Sequence, residues 1–169
     1  MAAVRKAKRE HPGLRAEVSP HHLFLTVEEY TGPPRVLPPL GSRRDQEALW
    51  EGVEDGTVDT LGSDHAPHTH EEKYADDPPA GFPGLETALP LLFHACMEGR
   101  LTIARFIDLT SGAAAALFDF PSRQVSQGGQ ASFVIMEESD YRVGERGYST
   151  KCGWSPFTGR EVRGRVEQV

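Results

Sequence analysis

The sequence predicts an α/β fold built from parallel strand–loop–helix units, followed by a β-rich segment. Two short apolar runs, residues 14–19 and 57–62, each precede a long loop and then a helix-type pattern. After Pro121 the pattern changes to short β-type runs separated by glycine turns. Alternation of strands with helical patterns is typical of βα units. We therefore predict a βα part over residues 1–120 and strands of a small β-sandwich or β-appendage over residues 121–169.

The first part of the chain predicts a helix, a strand and an irregular segment. Residues 2–10 have the spacing of an amphipathic helix with a basic, solvated face, and no capping residue precedes them. The strand at 14–19 ends at Pro20, which lacks the N–H that a strand ladder needs. Residues 20–44 contain five prolines and two glycines, so we expect an irregular segment that is long enough to be functional.

Further helices surround the second predicted strand. The helix-type patterns cover residues 44–56, 85–99, 102–111 and 111–120. The strand at 57–62 leads into a long loop at 64–84. Pro90 is expected near the first turn of its helix, where proline is tolerated. Thr102 is the expected N-cap of the next helix.

Composition and charge exclude several classes of function. The net charge is −7, whereas nucleic-acid binding needs a concentrated excess of Lys and Arg. Cys96 and Cys152 lie far apart, so neither a disulfide framework nor a zinc knuckle is indicated, and a reducing cytoplasm is the expected compartment. No run approaches the ~18 apolar residues of a membrane span, so no membrane segment is expected.

The densest group of metal-ligand residue types is GSDHAPHTHEEK, residues 62–73. Asp64 follows the second predicted strand, whose rigid end would hold the carboxylate while the loop stays open to solvent. There the carboxylate could bind a divalent metal ion or accept a proton from metal-activated water. Alternatively, Asp64 caps the following turn and the histidines are ordinary polar loop residues. The spacing alone leaves both interpretations open.

Several segments together resemble dihydroorotase of the amidohydrolase superfamily. They are PHHLFLT, PPLGSRRDQEALWEGVEDGTVD, GSDHAPHTHEEK, GFPGLETALPLL and WSPFTGREVRGRV. Because they occur in the family's order, the resemblance covers essentially the whole chain. It implies the last part of a (β/α)8 TIM-type barrel, with residues 14–19 as strand seven and 57–63 as strand eight, joined to the C-terminal strands of a small β-sandwich. It also implies one or two zinc ions at the C-terminal barrel mouth.

The resemblance assigns roles to individual residues. Asp64 corresponds to the strand-eight aspartate that binds zinc and carries the proton while N-carbamoyl-L-aspartate and L-dihydroorotate interconvert in pyrimidine biosynthesis. His68 matches the histidine that contacts the substrate carboxylate. Ala80 and Gly81 match the loop whose backbone meets the dihydropyrimidine ring. Glu17 matches a strand-seven glutamate that lies near the metals in some relatives; a buried or capped strand carboxylate is the alternative.

Some positions depart from the family pattern. Leu37 stands where relatives place an asparagine or arginine that helps to bind substrate, and leucine cannot make that hydrogen bond. Ser132 replaces the usual aspartate at the start of a sandwich strand. His21 and His22 look like ligands, but the family takes its metals elsewhere, so we interpret both as structural.

The chain also lacks the other ligand motifs of the family. These are an HxH pair on strand one, a carboxylated lysine or an aspartate on strand four, and histidines on strands five and six. A complete barrel takes about 250 residues, and this chain has 169. We therefore expect the isolated chain to lack activity and to associate, either as an oligomer or with a segment that supplies the missing half.

Three interpretations of function remain. The first is a zinc-dependent dihydroorotase, represented here by its C-terminal portion. The second is a non-catalytic homologue that acts as a scaffold for aspartate carbamoyltransferase. Leu37 favours the scaffold, whereas the intact DHAPH segment, residues 64–68, favours the enzyme. The third is another cyclic amidohydrolase, of the allantoinase or dihydropyrimidinase type.

Overall fold

The structure, a computed structural model, has mixed α/β content, as predicted, and describes residues 1–33, 35–121, 125–129 and 132–169. Its helices are Ala2–Glu10 (α1), Pro20–Phe24 (α2), Arg43–Glu54 (α3), His70–Lys73 (α4), Leu85–Met97 (α5), Ile103–Ile107 (α6) and Ala113–Leu117 (α7). Its strands are Glu17–Val18 (β1), Thr60–Leu61 (β2), Ile135–Arg142 (β3) and Glu161–Gln168 (β4). A π-helical segment, Asp108–Gly112, joins α6 to α7.

Strands β1 and β2 pair in parallel, as the strand–loop–helix pattern predicts, with Glu17 opposite Thr60. Both strands are shorter than predicted, although backbone hydrogen bonds continue past their ends: the Gly62 N–H donates to the Val18 carbonyl at 3.0 Å. Within the described residues no third strand joins this sheet. Each strand therefore has one edge without a strand partner in this part of the molecule.

The main hydrophobic core lies between the β1–β2 pair and helices α3, α5 and α6. Its buried members are Val18, Leu23, Trp50, Val53, Val58, Leu92, Ala95, Leu101, Phe106 and Leu109. Burying each large apolar side chain contributes about 1.5–3 kcal/mol. The Trp50 indole N–H donates to the Leu23 carbonyl at 2.8 Å, so its polar atom is satisfied inside the core. This core fixes β1, which begins at Glu17, and β2, which leads into the loop that carries Asp64.

Helix α5 differs from the prediction at Pro90. The residue is the sixth of the helix rather than part of its first turn, so an internal backbone hydrogen bond is lost there. The helix nevertheless continues, because the next two residues, Leu91 and Leu92, are fully buried, one in each of two clusters. Tertiary packing thus overrides a local cost of about 3 kcal/mol.

The two helices predicted over residues 102–120 form one interrupted helical segment. The Thr102 side chain caps it by accepting a hydrogen bond from the Arg105 backbone N–H at 3.1 Å, as predicted. The π-helical turn then carries the chain from α6 into α7. Leu109, at this turn, is fully buried in the main core, so core packing accompanies the change in helical pitch.

Strands β3 and β4 form an antiparallel pair that packs on α5. A second buried cluster joins the two parts: Leu91 of α5 contacts Val143, Phe157 and Val162. The β-type runs expected between residues 121 and 134 fall partly on residues 122–124 and 130–131, which lie outside the described residues. No helix in the described part of the chain is long and apolar enough to cross a bilayer.

The predicted irregular segment at 20–44 is mostly irregular, but it begins with the short helix α2, which Pro20 opens. Proline suits this first position because its missing N–H needs no partner there. Further along, Val36 packs with Phe82 and Trp154 in a third buried cluster. This cluster joins three parts of the chain that are distant in sequence, and Phe82 belongs to the long loop that follows β2.

Candidate functional site

A cleft of about 500 Å³ opens at the carboxyl ends of β1 and β2. Its polar lining includes Glu17, Ser19, His22, Asp45 and Asp64. The prolines at 38 and 39 and the first turns of α3 form its other wall. The carboxyl ends of parallel strands are where α/β folds place their chemistry, so the cleft lies where the sequence predicts the site.

Asp64 lies three residues beyond β2, and its side chain is 52% exposed at the cleft. Its backbone has a φ of 46°, in the left-handed region that few residues other than glycine adopt. Such strained residues cluster at functional sites. The alternative prediction, that Asp64 caps the following turn, stays open; the next helix, α4, is capped by Thr69, which accepts a hydrogen bond from the Glu72 backbone N–H.

Glu17 opens β1, and its carboxylate lies directly over Gly62 of the paired segment. A β-carbon at residue 62 would lie 2.2 Å from the Glu17 Oε1 atom, so a larger residue there would require the Glu17 carboxylate to move. The Thr60 hydroxyl donates to the Glu17 Oε2 atom at 3.3 Å. Glu17 and Asp64 therefore line the same cleft, one from each parallel strand.

A hydrogen-bonded chain of Ser19, His21 and His22 runs beside Asp64. The His22 Nε2 atom lies 3.1 Å from the Pro38 carbonyl, which only accepts, so this nitrogen carries the proton. The His22 Nδ1 atom then accepts from the Ser19 hydroxyl at 2.7 Å, and the same hydroxyl accepts from the His21 Nε2–H at 3.1 Å. Both ring nitrogens of His22 are thus engaged within the protein, in agreement with a structural role.

His21 is buried, with 1% of its surface exposed, and its Nε2 atom lies 3.4 Å from the Asp64 Oδ2 atom. Burial, reinforced by the neighbouring His22, lowers the pKa of His21 to about 4. The imidazole is therefore neutral near pH 7, and its Nε2–H donates to the Ser19 hydroxyl, so no positive charge of His21 faces the aspartate. Sequence reasoning assigned His21 a structural role but gave no signal of this contact.

The other predicted substrate residues, His68, Ala80 and Gly81, do not line this cleft. They lie in the long loop after β2, where a β-carbon at Gly81 would be 4.0 Å from the His68 Cδ2 atom. The backbone of this loop folds back on itself: the Ala66 N–H donates to the Phe82 carbonyl at 2.9 Å. The structure thus brings Asp64 and Glu17 together at the cleft, and His68 and Gly81 together beside it.

Two residues that sequence reasoning missed support the loop. Lys73 is completely buried and donates to three backbone carbonyls. The Trp154 indole N–H donates to the His68 carbonyl at 2.8 Å, which ties the C-terminal part of the chain to the loop. In the sequence, a lysine after two glutamates is typical of an exposed helix face, and the distant tryptophan carried no signal.

Within the described ranges, no three His, Cys, Asp or Glu side chains are grouped closely enough to hold a metal ion. Asp64 and Glu17 supply two carboxylates from the strand ends. Catalytic zinc sites use three protein ligands. A zinc ion here would therefore need further ligands from outside the described residues.

Comparison with known proteins places the chain in a family. No protein-family model matches it. It is 38% identical over 167 residues to the dihydroorotase of Thermus aquaticus, an alignment that covers 95% of this chain and 39% of that protein. The chain belongs to the dihydroorotase family. It is also 38% identical over 171 residues to the multifunctional protein CAD of Squalus acanthias, with 98% of this chain and 7% of that protein covered. The resemblance found in the sequence is confirmed.

Solved structures share the fold of this dihydroorotase-family chain. The L-hydantoinase (dihydropyrimidinase) from Arthrobacter aurescens matches with a TM-score of 0.82 and 28% identity over 98% of this chain and 39% of that one. The inactive dihydroorotase-like domain of the Chaetomium thermophilum CAD-like multifunctional protein matches with a TM-score of 0.73 and 25% identity over 98% of this chain and 44% of that one. The chain thus spans about two fifths of the length of the single-enzyme relatives it matches.

Proposed function

We propose that this chain supplies the strand-seven and strand-eight part of a dihydroorotase site, which interconverts N-carbamoyl-L-aspartate and L-dihydroorotate in cytoplasmic pyrimidine biosynthesis. The observation that carries the proposal is the placement of Asp64. A strained, half-exposed carboxylate lies at the end of a parallel strand and faces a cleft. In this proposal residues 1–120 are the last part of a (β/α)8 barrel, and residues 121–169 contribute strands to a β-sandwich.

Asp64 is proposed to carry a proton. In the ring-opening direction, water adds to the ring carbonyl carbon while the bond from that carbon to the ring nitrogen breaks. Asp64 takes the proton that the water loses and passes it to the departing nitrogen; ring closure reverses both transfers. Proton transfer by a positioned side chain contributes about 10²–10⁴-fold to a rate. The neutral His21 imidazole lies beside the Asp64 carboxylate, with its Nε2 atom 3.4 Å from the Oδ2 atom.

The carboxylates of Asp64 and Glu17 fit the donor set of a zinc site, because both are oxygen ligands at rigid strand ends that face one cleft. We propose that Asp64, with Glu17 beside it, holds one side of a site for one or two zinc ions. The remaining ligands would come from earlier barrel strands outside this chain. When bound, zinc would polarise the carbonyl under attack and help to activate the attacking water.

The substrate is proposed to lie between the cleft and the loop. His68 would hold the substrate carboxylate, while the backbone at Ala80 and Gly81 would meet the ring. At residue 37, where relatives are expected to have a side chain that hydrogen-bonds the substrate, this chain has a leucine that is 62% exposed. In this proposal the contacts of His68, Ala80 and Gly81 bind the substrate without the hydrogen bond that Leu37 cannot make.

A chimera tests the proposal directly. Residues 1–169 would replace the matching segment of the Thermus aquaticus dihydroorotase, so that the other enzyme supplies the earlier strands and their ligands. With zinc, the chimera is expected to hydrolyse dihydroorotate, and Asp64→Asn is expected to lower kcat by about 10²–10⁴-fold. The isolated chain with zinc is expected to show no turnover above an Asp64→Ala control.

Asp59→Asn is the matched control. Asp59 directly precedes β2, at the opposite end from Asp64, and accepts a hydrogen bond from the Ala16 N–H at 2.7 Å. Its substitution is expected to lower stability while kcat stays within about threefold of the parent chimera, since proton transfer does not involve it. A folded, zinc-loaded chimera without turnover would reject the enzymatic proposal.

A second candidate is a non-catalytic homologue that binds aspartate carbamoyltransferase. Two observations favour it: the similarity to a domain described as inactive, and Leu37 at the predicted substrate position. A zinc-loaded but inactive chimera would support it, provided that the chain also co-sediments with aspartate carbamoyltransferase. The similarity to hydantoinases motivates a third test, in which the active chimera is offered hydantoin and dihydrouracil beside dihydroorotate.

The free sheet edges support the expectation of association. In the described part of the chain the parallel sheet has two strands, so each strand has an unpaired edge. Unpaired edges offer backbone N–H and C=O groups to other strands. We propose that earlier barrel strands, or a second copy, pair there. Sedimentation of the isolated chain is expected to show oligomers, and a cooperatively melting monomer would contradict this.

A further inference from the structure

The most unusual buried side chain in the described residues is Lys73. It ends α4, a short helix with a capping box formed by Thr69 and Glu72, and its exposed fraction is 0%. Burying an ammonium group is costly unless every donor finds a partner. Because the Lys73 side chain is not exposed to solvent, its charge must have a role inside the fold.

The Lys73 ammonium group is held entirely by backbone carbonyls. Its Nζ atom donates to the carbonyls of Arg35 at 2.7 Å, Pro79 at 2.8 Å and Gly81 at 2.9 Å. These three acceptors match the three donors of an ammonium group. The Nζ atom also lies 5.2 Å from the centre of the Phe82 ring, within the range of a cation–π contact. One side chain thus binds both ends of the 79–81 turn and a separate segment at residue 35.

The bound segment has little freedom to shift. The Gly81 N–H donates to the Arg35 carbonyl at 3.2 Å, so residue 35 is joined to the turn both directly and through Lys73. On its other side Gly81 packs so closely on Ala66 that a β-carbon there would lie 2.3 Å from the Ala66 β-carbon. The position of this turn relative to the DHAPH segment is therefore set by contacts on two sides.

We propose that Lys73 is a positioning residue that holds the Ala80–Gly81 backbone against the DHAPH segment and thereby sets its distance from His68. That this backbone and His68 contact a cyclic-amide substrate rests on the proposed function. Lys73 itself touches no reacting atom in this proposal. Its three charge-assisted hydrogen bonds hold the loop in one conformation, so the substrate would bind to a preorganised loop.

Amide hydrogen exchange on the full 169-residue chain tests the structural part of the proposal. In Lys73→Met, the Gly81 and Ala66 amides are expected to exchange at least about tenfold faster, the change that loss of one hydrogen bond to a charged group produces. The Leu92 amide of α5 is expected to keep its rate. Unchanged exchange at Gly81, or an equal increase at all three amides, would overturn the proposal.

Lys8→Met is the matched control. Lys8 is part-buried and binds the Asp59 carboxylate, on the far side of the strand pair from the loop. The same substitution there is expected to lower stability without changing exchange at Gly81. If Lys73→Met does not fold, the same measurement is made on Lys73→Gln, whose amide retains two donors on a shorter chain. It is expected to give a smaller increase at Gly81, and no increase would overturn the proposal.

Kinetics of the chimera test the functional part. Lys73→Met is expected to raise KM for dihydroorotate at least about tenfold while kcat stays within about threefold, because a loop that only binds substrate contributes uniform binding. A purely structural role would lower the amount of active enzyme and leave KM unchanged, and that result would overturn the proposal. A parent chimera without turnover would instead reject the proposed function, while the exchange result would still decide the role of Lys73 in the loop.

Discussion

The close packing of Gly81 on Ala66 makes a quantitative prediction about the loop. In Gly81→Ala, the new β-carbon would lie 2.3 Å from the Ala66 β-carbon, well inside the contact distance of two carbon atoms. The backbone at Gly81 also has a φ of +120°, a conformation that a residue with a β-carbon rarely adopts. The substitution is therefore unfavourable for two separable reasons, steric overlap and backbone strain.

The expected loss of stability follows from these two contributions. Forcing a residue with a β-carbon into such a sparsely populated backbone conformation costs about 1–3 kcal/mol. Inserting a methyl group into a packed site costs about 1–3 kcal/mol. Gly81→Ala should therefore lower the free energy of unfolding by about 2–6 kcal/mol. Ala66→Gly removes the clashing atom and costs about 0.5–1 kcal/mol by itself, through the entropy of the unfolded chain.

A double-mutant cycle separates overlap from strain. Urea unfolding of the parent, both single variants and the double variant is followed by the fluorescence of Trp50 and Trp154. The double variant should recover the overlap contribution, so the coupling energy should be about 1–3 kcal/mol in the stabilising direction. A coupling energy below about 0.5 kcal/mol, the usual limit of additivity, would refute the packing that we describe.

Three further predictions concern other parts of the molecule. The pKa of His21 is about 4 in the folded chain, against an ordinary value of 6.5. Between these two pH values the unfolded chain binds a proton that the folded chain does not. The free energy of unfolding should therefore fall by about 3 kcal/mol as the pH is lowered from 6.5 to 4. His21→Gln should lose this part of the pH dependence, and identical pH profiles in urea unfolding would contradict the assignment. Trp154→Phe keeps an aromatic ring but removes both the hydrogen bond to His68 and part of the buried indole, which should cost at least about 1 kcal/mol in the same assay; no loss would contradict this contact. Ser42→Ala removes the capping box with Asp45 and should cost about 1 kcal/mol of helix stability, whereas an unchanged urea midpoint would contradict the cap.

Much of the architecture was predictable from local patterns. Helices α1, α3 and α5 follow from apolar spacing, and the cap at Thr102 follows from its side-chain oxygen, because these features depend on near neighbours in the chain. The interruption between α6 and α7 and the place of Pro90 inside α5 were not predictable. Both depend on which side chains are buried by distant segments, and burial outweighs local propensity at such positions.

The candidate site divides in the same way. The residue types, their order and their similarity to dihydroorotases identify Asp64, Glu17, His68, Ala80 and Gly81 from the sequence, and their roles remain predictions. The contact between His21 and Asp64 depends on the parallel pairing of two strands. No periodicity in the sequence encodes such a contact, because the residues meet only after the core has aligned the strands.

The sequence by itself determined the family, the α/β class and the strand-end position of Asp64, since each is carried by residues that are adjacent or in a fixed order. The tertiary structure alone decided that Glu17 shares a cleft with Asp64 and that a buried lysine holds the loop beside it. The physical reason is that burial and hydrogen-bond partners belong to the folded arrangement: Lys73 becomes a structural cation only where three carbonyls from two separate segments converge on it.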